Sequence, residues 1–283
     1  MELRCARLQS IVSENLVNVE APMKERVSSS FLKRSQSLAI ALFLILMPAT
    51  QAGQSDQHHD SKEPMPPEQA LKLLGEGNLR YLSHDATNPP DYKRERKELV
   101  DGQHPYAVVL SCSDSRVPPE IVFDETLGKI FVIRVAGNVT DPTELGSIEY
   151  AADHRYSRLL FVMAHESCGA VKTTMDVVRT RKYPKSRNLM ALINSIRPAL
   201  DRKRLDTNNK ADVAVNVDRN LKAQMENVVR KSRSLARRVL TGDLQIIGAI
   251  YSLETGDAKP AYYYDKTTGK VKPIPPSKVA RTR

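Results

Sequence analysis

Residues 159–171 read LLFVMAHESCGAV, and they decide the fold class because an uncharged apolar run leads directly into polar residues and then into a helical pattern. The residues at 159–164 have the length and composition of a strand that is covered on both faces. Similar apolar runs occur at 106–110, 130–135 and 244–251, and helical patterns separate them. Strands that alternate with helices predict an α/β fold with a mainly parallel central β-sheet flanked by helices.

The helical patterns and the last turns complete this predicted architecture. Helical spacing is found at 67–81, 91–101, 145–154, 170–181 and within the long stretch 189–240. After the last apolar run, the turn signals TGD and DKTTGK surround AYYYD. They predict a hairpin-like C-terminal edge extension of the sheet.

Composition and charge exclude several classes of protein. The chain has 283 residues, of which 41% are hydrophobic and 27% are charged, with a net charge of +10. This mixture excludes a collagen-like, coiled-coil or wholly disordered chain. Basic residues are frequent in the stretch 189–240, as in RKSRSLARRVL at 230–240, but no aromatic residue interleaves them, so we interpret this stretch as a solvated amphipathic helix face and expect no nucleic-acid partner. The inward face is predicted to carry the apolar residues Val228, Val229, Leu235, Val239 and Leu240.

Residues 1–52 have the three parts of a secretory signal peptide. Lys33 and Arg34 precede the apolar run LAIALFLILM at 38–47, and small residues follow it at the cleavage positions of PATQA. This run is too short to span a bilayer as a helix. We therefore expect cleavage after Ala52, a periplasmic or secreted protein, and no stable membrane anchor. An uncleaved anchor or a buried core helix is the alternative.

The remainder of the chain is predicted to form one globular domain. Translation from Met23 would leave a signal of ordinary length, and we hypothesise that residues 1–22 lie upstream of the true start. Residues 53–66 are polar and proline-rich and are predicted to be a flexible leader. The domain is predicted to extend over 67–272, and the basic tail 273–283 is predicted to be disordered.

Soft metal-binding side chains follow two of the predicted strands. Cys112 comes shortly after the first strand, and His165 and Cys168 come directly after the third. Because the carboxyl ends of parallel strands meet at one rim of the sheet, we expect these residues to lie close together. Two thiolates and one imidazole suit zinc, and three protein ligands leave a fourth position for water or substrate. A Cys112–Cys168 disulfide is the alternative, and a lone His-x-x-Cys is a weak signal.

The motif CSDSR at 112–116, taken with HESCGA at 165–170, resembles the β-class carbonic anhydrases. Further segments follow in the order of that family: RVPPE at 116–120, FVIRVAGN at 131–138, GSIEYA around Tyr150 and GAIYSLETG at 248–256. The resemblance covers residues 66–265, which is nearly all of the predicted mature chain.

The resemblance implies a role for each matched residue. Cys112, His165 and Cys168 would be the ligands of one Zn²⁺ per chain, and Asp114 with Arg116 would form a dyad that controls the fourth position. From the residues alone, this dyad could equally be an ordinary surface ion pair. The implied substrates are CO2 and bicarbonate, and the implied assembly is a homodimer or a dimer of dimers. The implied substrate pocket, partly contributed by the partner subunit, is formed by Gln103, Phe131, Ala136 and Tyr150.

Departures from the family pattern and the charge of the site refine these expectations. Val109 stands where the subgroup with an allosteric bicarbonate site carries Trp, so we expect no such regulation. Two thiolates neutralise a zinc ion and make it a weaker Lewis acid than a three-histidine site, which predicts a more alkaline activity profile. In the mechanism that the resemblance implies, zinc-bound hydroxide attacks CO2. The alternative functions are hydrolysis of CS2 or COS on the same fold, and non-catalytic binding of an anion.

Overall fold

A computed structural model describes residues 63–85 and 91–275, and these residues are built around one mixed β-sheet. Its strands are β1 Ala107–Ser111, β2 Ile130–Arg134, β3 Leu159–His165, β4 Gln245–Tyr251, β5 Pro260–Asp265 and β6 Lys270–Pro273. Their order across the sheet is β2-β1-β3-β4-β5-β6. The first four strands are parallel, and β5 and β6 form an antiparallel hairpin that extends the sheet beyond β4. The predicted α/β fold with a C-terminal edge extension is therefore confirmed.

Helices flank this sheet. They are α1 Pro67–Ser83, α2 Tyr92–Glu98, α3 Pro119–Val122, α4 Pro142–Asp153, α5 Gly169–Thr180, α6 Arg187–Ile196, α7 Lys210–Lys231 and α8 Arg233–Thr241. Polar caps divide the long helical stretch into three helices. The side chains of Ser186, Asn209 and Ser232 each accept a hydrogen bond from a backbone N–H in the first turn of α6, α7 and α8.

The central strands explain why the metal-binding residues are buried. Every residue of β1 and β3 is buried, in agreement with their uncharged and mostly apolar composition. Val109 lies level with Phe161, and Phe161 with Ile247, so large apolar side chains stand side by side across three strands. Phe123 packs edge-on against Phe161, with ring centroids 5.4 Å apart. Residues that follow β1 and β3 directly therefore emerge from the core of the domain.

Two details of the helical predictions are wrong. The charged segment predicted over 91–101 is shorter, because α2 ends at Glu98 and buries none of its residues against the domain. Leu240 was expected on the inward face of α8 but is 61% exposed, whereas Leu235 and Val239 are buried. Leu235 and Val239 are four residues apart and share the inward face, so Leu240 points about 100° away from it.

Several predictions concern residues outside the described ranges. The signal peptide at 1–52, residues 53–62 of the leader and residues 276–283 of the tail all lie there, so these assignments stay predictions. Among the helices that are described, none is both long enough and apolar enough to cross a membrane.

Candidate metal centre

The three candidate metal ligands meet at the carboxyl ends of β1 and β3. Ser111 pairs with Met163, so Cys112 and His165 leave neighbouring strands at the same rim. The Sγ atoms of Cys112 and Cys168 and a ring nitrogen of His165 lie within 4.8 Å of one another, and all three residues are buried. Both cysteines are free thiols, so the alternative disulfide is absent from this structure.

His165 presents an unpartnered nitrogen to this cluster. Its Nδ1 lies 2.9 Å from the backbone carbonyl of Glu166, and because a carbonyl only accepts, Nδ1 carries the proton. Nε2 is then a lone-pair acceptor, and it is buried without a hydrogen-bond partner. Buried polar atoms are almost always paired, so an orphaned imidazole nitrogen beside two sulfurs fits a metal ligand.

The turn that carries His165 and Cys168 is tied to the end of β4. The backbone N–H of Glu166 donates to Tyr251, and its carboxylate accepts from the hydroxyl of Ser252 and the N–H of Leu253, each at 3.1 Å. Cys168 is the N-cap residue of α5, so this helix begins directly after the turn. These contacts hold the turn that carries both candidate ligands against the end of β4.

Cys112 is held by the last residue of β2 and by the loop that follows this strand. The N–H of Gly137 donates to its Sγ at 3.3 Å, and the guanidinium of Arg134 donates to the backbone carbonyls of Cys112 and Asp114 at 3.1 and 2.6 Å. Gly137 has a φ of 69°, and a Cβ there would lie 2.7 Å from Ile196, so only glycine brings this N–H to the sulfur.

The two sulfurs lie close enough to perturb each other's pKa. The interaction with Cys168 lowers the pKa of the Cys112 thiol, and the same interaction together with burial raises the pKa of the Cys168 thiol. The thiolate form is therefore favoured at Cys112, and Cys168 holds its proton more tightly. A divalent cation that displaces the remaining proton would be bound by two thiolates.

Asp114 and Arg116 form a bidentate pair next to this cluster. The Nε and Nη2 atoms of Arg116 donate to the two carboxylate oxygens at 2.9 and 2.8 Å, and the backbone N–H of Arg116 donates to Oδ1 at 3.1 Å. The guanidinium holds the pKa of the Asp114 carboxyl well below its usual range. Oδ2 of Asp114 lies 3.9 Å from Nε2 of His165, so the dyad borders the unpartnered nitrogen.

The predicted pocket residues fall into two groups. Ala136 directly precedes Gly137, whose N–H donates to the sulfur of Cys112. Phe131 instead stacks on Tyr150, with ring centroids 6.2 Å apart, and both rings pack near Tyr156, to which Gln103 is hydrogen-bonded. Phe131 is level with Val108, which is about 13 Å along the strand from Cys112 at about 3.3 Å per residue. The aromatic group thus lies away from the metal cluster of its own chain.

Sequence reasoning missed the residues that support the ligands. Arg134 was read only as part of a strand, although an arginine at the end of an apolar run is itself a signal of a specific partner. No role was predicted for the amide side chains of α7, but all four of them are buried: Asn216, Asn220, Gln224 and Asn227. Their sequence pattern alone does not distinguish them from surface amides.

Comparisons with known proteins agree on one family. A family model described as carbonic anhydrase matches residues 107–258. Carbonic anhydrase 2 of Mycobacterium tuberculosis is 34% identical over 192 residues, which cover 68% of this chain and 91% of that protein.

Solved structures show the same fold. The Coccomyxa β-carbonic anhydrase in complex with acetazolamide has a TM-score of 0.53 at 24% identity, over 72% of this chain and 87% of that one. A structure from Sordaria macrospora, described as that of tetrameric β-carbonic anhydrases, has a TM-score of 0.50 at 20% identity, over 65% of this chain and 93% of that one.

Proposed function

The chain belongs to the β-class carbonic anhydrases, a family of lyases, and from this premise we propose that it interconverts CO2 and bicarbonate at one zinc ion held by Cys112, His165 and Cys168. The observation that carries the proposal is the cluster of three ligand atoms within 4.8 Å, one of them a buried nitrogen without a partner. Two sulfurs and one imidazole suit zinc better than magnesium or calcium, and three protein ligands leave a position for reactants.

The residues of the chain supply orientation and charge around that position. When bound, zinc would act as a Lewis acid and bring the pKa of a coordinated water towards neutrality, less strongly than in a three-histidine site. Asp114 is ionised at neutral pH because Arg116 depresses its pKa, so its carboxylate only accepts hydrogen bonds. It can therefore accept from a water near Nε2 of His165 and orient that water towards CO2.

Arg116 determines which of two tasks Asp114 performs. While the bidentate pair holds the carboxylate, Asp114 faces the reactant position without filling it. A carboxylate released from Arg116 is itself a zinc ligand and would close the position. We therefore assign to Arg116 the role of keeping the site open.

The aromatic group supports a site that is shared between subunits. Phe131 and Tyr150 are apolar walls suited to CO2, but they lie away from the metal cluster of their own chain, and Tyr150 is 48% exposed. We propose that they line the cluster of a second copy, so that the active unit is a homodimer or a dimer of dimers. The tetrameric description of the Sordaria macrospora proteins agrees with this proposal.

Subunit mixing tests the shared site. Cys112→Ser removes a ligand and Phe131→Ala removes a wall, so each variant alone should have low activity. If walls and ligands come from different chains, a mixture that exchanges subunits regains activity, because one site per heterodimer is intact. Exchange without any recovery would contradict a shared site.

We also propose that the protein is exported, with cleavage after Ala52. The basic, apolar and small-residue parts of 1–52 support this proposal. N-terminal sequencing of the protein from the producing cell tests it. A mature chain that begins at Gly53 is expected, whereas a chain in the cytoplasmic fraction that retains residues 38–47 would contradict export.

A stopped-flow assay of CO2 hydration tests the activity itself. The purified chain should hold about one zinc ion, lose activity on chelation and regain it when zinc is restored. Cys168→Ser should lose both zinc and activity, whereas Ser167→Ala, in the same turn but without a ligand atom, should retain both. A zinc-loaded chain that hydrolyses CS2 but does not hydrate CO2 would overturn the proposed reaction.

A further inference from the structure

A ladder of buried amide side chains runs along one face of α7. Its members are spaced by four, four and three residues, which places them on one side of the helix: Asn216, Asn220, Gln224 and Asn227. All four are buried. An amide that is removed from water is costly unless its hydrogen bonds are satisfied, so each member must have specific partners.

Two members of the ladder form hydrogen bonds to the loop that follows β2. The Nδ2 of Asn220 donates to the carbonyl of Gly137 at 2.9 Å. The Oε1 of Gln224 accepts from the backbone N–H and the hydroxyl of Thr140 at 3.0 and 2.7 Å. Gln224 also donates to Oδ1 of Asn220 at 3.0 Å, so the two side chains that bind the loop are themselves hydrogen-bonded to each other.

The same loop carries the hydrogen bond to a candidate ligand. Gly137 donates its N–H to Sγ of Cys112, while its carbonyl is bound by Asn220 on the opposite side. The loop lies outside the sheet, and Gly137 has a positive φ, so the regular strand ladder does not fix the direction of this N–H. The side chain that fixes it comes from α7, 83 residues further along the chain.

We propose that Asn220, supported by Gln224, is a positioning residue for the metal centre: it holds Gly137 so that the N–H of Gly137 donates to the sulfur of Cys112. This inference rests on the proposed function, because it assumes that the sulfur binds a metal. A hydrogen bond to a thiolate ligand withdraws electron density from the sulfur and fixes its direction towards the ion. Loss of such supporting bonds typically lowers metal affinity by about 10–100-fold.

The ladder itself offers a matched control. Asn216 is the same residue type on the same helix and equally buried, but it bonds elsewhere. Its Oδ1 accepts from the N–H of Asp201 at 2.7 Å, and its Nδ2 donates to the carbonyl of Arg204 at 2.6 Å. Replacing Asn216 or Asn220 with leucine should therefore cost similar stability, while only Asn220 touches the loop of Gly137.

The experiment uses Co²⁺ as the probe in the full chain. Cobalt bound to thiolates gives a charge-transfer band whose energy reports the electron donation of sulfur, and competition with a chelator gives the affinity. Asn220→Leu is expected to shift the band and to weaken cobalt binding about 10–100-fold. Asn216→Leu should leave the band in place and the affinity within about threefold.

A second pair of variants keeps the test decisive if a leucine variant does not fold. Asn220→Ala and Asn216→Ala are smaller changes, and the same contrast between them is expected. Equal changes in both variants, or an unshifted band in Asn220→Ala, would overturn the positioning role. Failure of the proposed function differs from this result, because the unmodified chain would then give no thiolate-to-cobalt band at all.

Discussion

Replacing Arg116 with alanine tests whether this arginine keeps the site open. The guanidinium makes two hydrogen bonds to Asp114, at 2.9 and 2.8 Å. The side chain of Arg116 is 55% exposed and that of Asp114 is 19% exposed, so solvent screens the pair. A bidentate pair under such screening contributes about 1 kcal/mol to the orientation that it holds.

That free energy sets the size of the effect. Loss of about 1 kcal/mol lowers the population of the held orientation about fivefold relative to released ones. A released carboxylate gains a bond to zinc in addition, which shifts this ratio further, so we expect closed sites to dominate and kcat/KM to fall about fivefold or more. Asp114 stays ionised across pH 6–9, because its pKa is depressed with Arg116 present and its ordinary pKa is about 3.9 without it. The loss should therefore persist over that whole range.

The assay is stopped-flow CO2 hydration at several pH values, with zinc content measured on the same samples. Arg179→Ala is the matched control, since Arg179 pairs with Asp176 at a similarly exposed position on α5. It should keep full activity. In an Asp114→Asn background, Arg116→Ala should have little further effect, because the carboxylate that closes the site is absent.

Two results would refute the reasoning. The first is an Arg116→Ala variant with full activity across pH 6–9, because the released carboxylate would then have no consequence. The second is an activity loss that parallels a loss of zinc. A carboxylate that closes the fourth position is an additional ligand, so zinc should be retained at least as tightly as in the unmodified chain.

Three further predictions concern stability and ligand support. Gly77→Ala should lower the free energy of unfolding by more than about 3 kcal/mol, because a Cβ would lie 1.8 Å from the carbonyl oxygen of Phe123. Gly146 has open space around it, so Gly146→Ala should raise the free energy of unfolding by about 0.5–1 kcal/mol. Urea titrations measure both changes. Burial raises the pKa of the Glu125 carboxyl, so ionising this group in the folded chain costs stability as pH rises. Glu125→Gln removes that cost. The variant should therefore be more stable than the unmodified chain at pH 7.5, and the difference should disappear near pH 4. Glu166→Ala should weaken zinc binding in a chelator competition, because it removes the hydrogen bonds from Ser252 and Leu253 that hold the turn between His165 and Cys168. An unchanged affinity would show that these hydrogen bonds are not needed to position the two ligands.

The sequence was informative wherever structure depends on local pattern. The apolar runs located β1 and β3 to within one residue at either end, since short uncharged runs between helices permit few other assignments. The parallel order then implied that Cys112, His165 and Cys168 share a rim, and the structure brings their ligand atoms together. The meeting of these three ligands could therefore be predicted from the order of the strands, without knowledge of any side-chain contact.

Contacts between distant segments could not be predicted in this way. Asn220 and Gly137 are 83 residues apart, and nothing in the pattern of α7 says which backbone groups its buried amides bind. The prediction that Leu240 faces inward failed for a related reason, because a shift of one residue along a helix turns the side chain by about 100°. The separation of Phe131 from the metal cluster also depends on the register of β2 against β1, which composition does not specify.

The two kinds of contact have different consequences for how this site can vary. The ligand atoms are attached to buried central strands, so moving them would disturb the whole sheet. The N–H that reaches the sulfur of Cys112 belongs to a loop, and its direction depends on the amides of α7. Substitutions at Asn220 or Gln224 can therefore alter the binding strength of the sulfur while the ligand set stays the same. Metal affinity in this chain is thus adjustable from a helix that contributes no ligand.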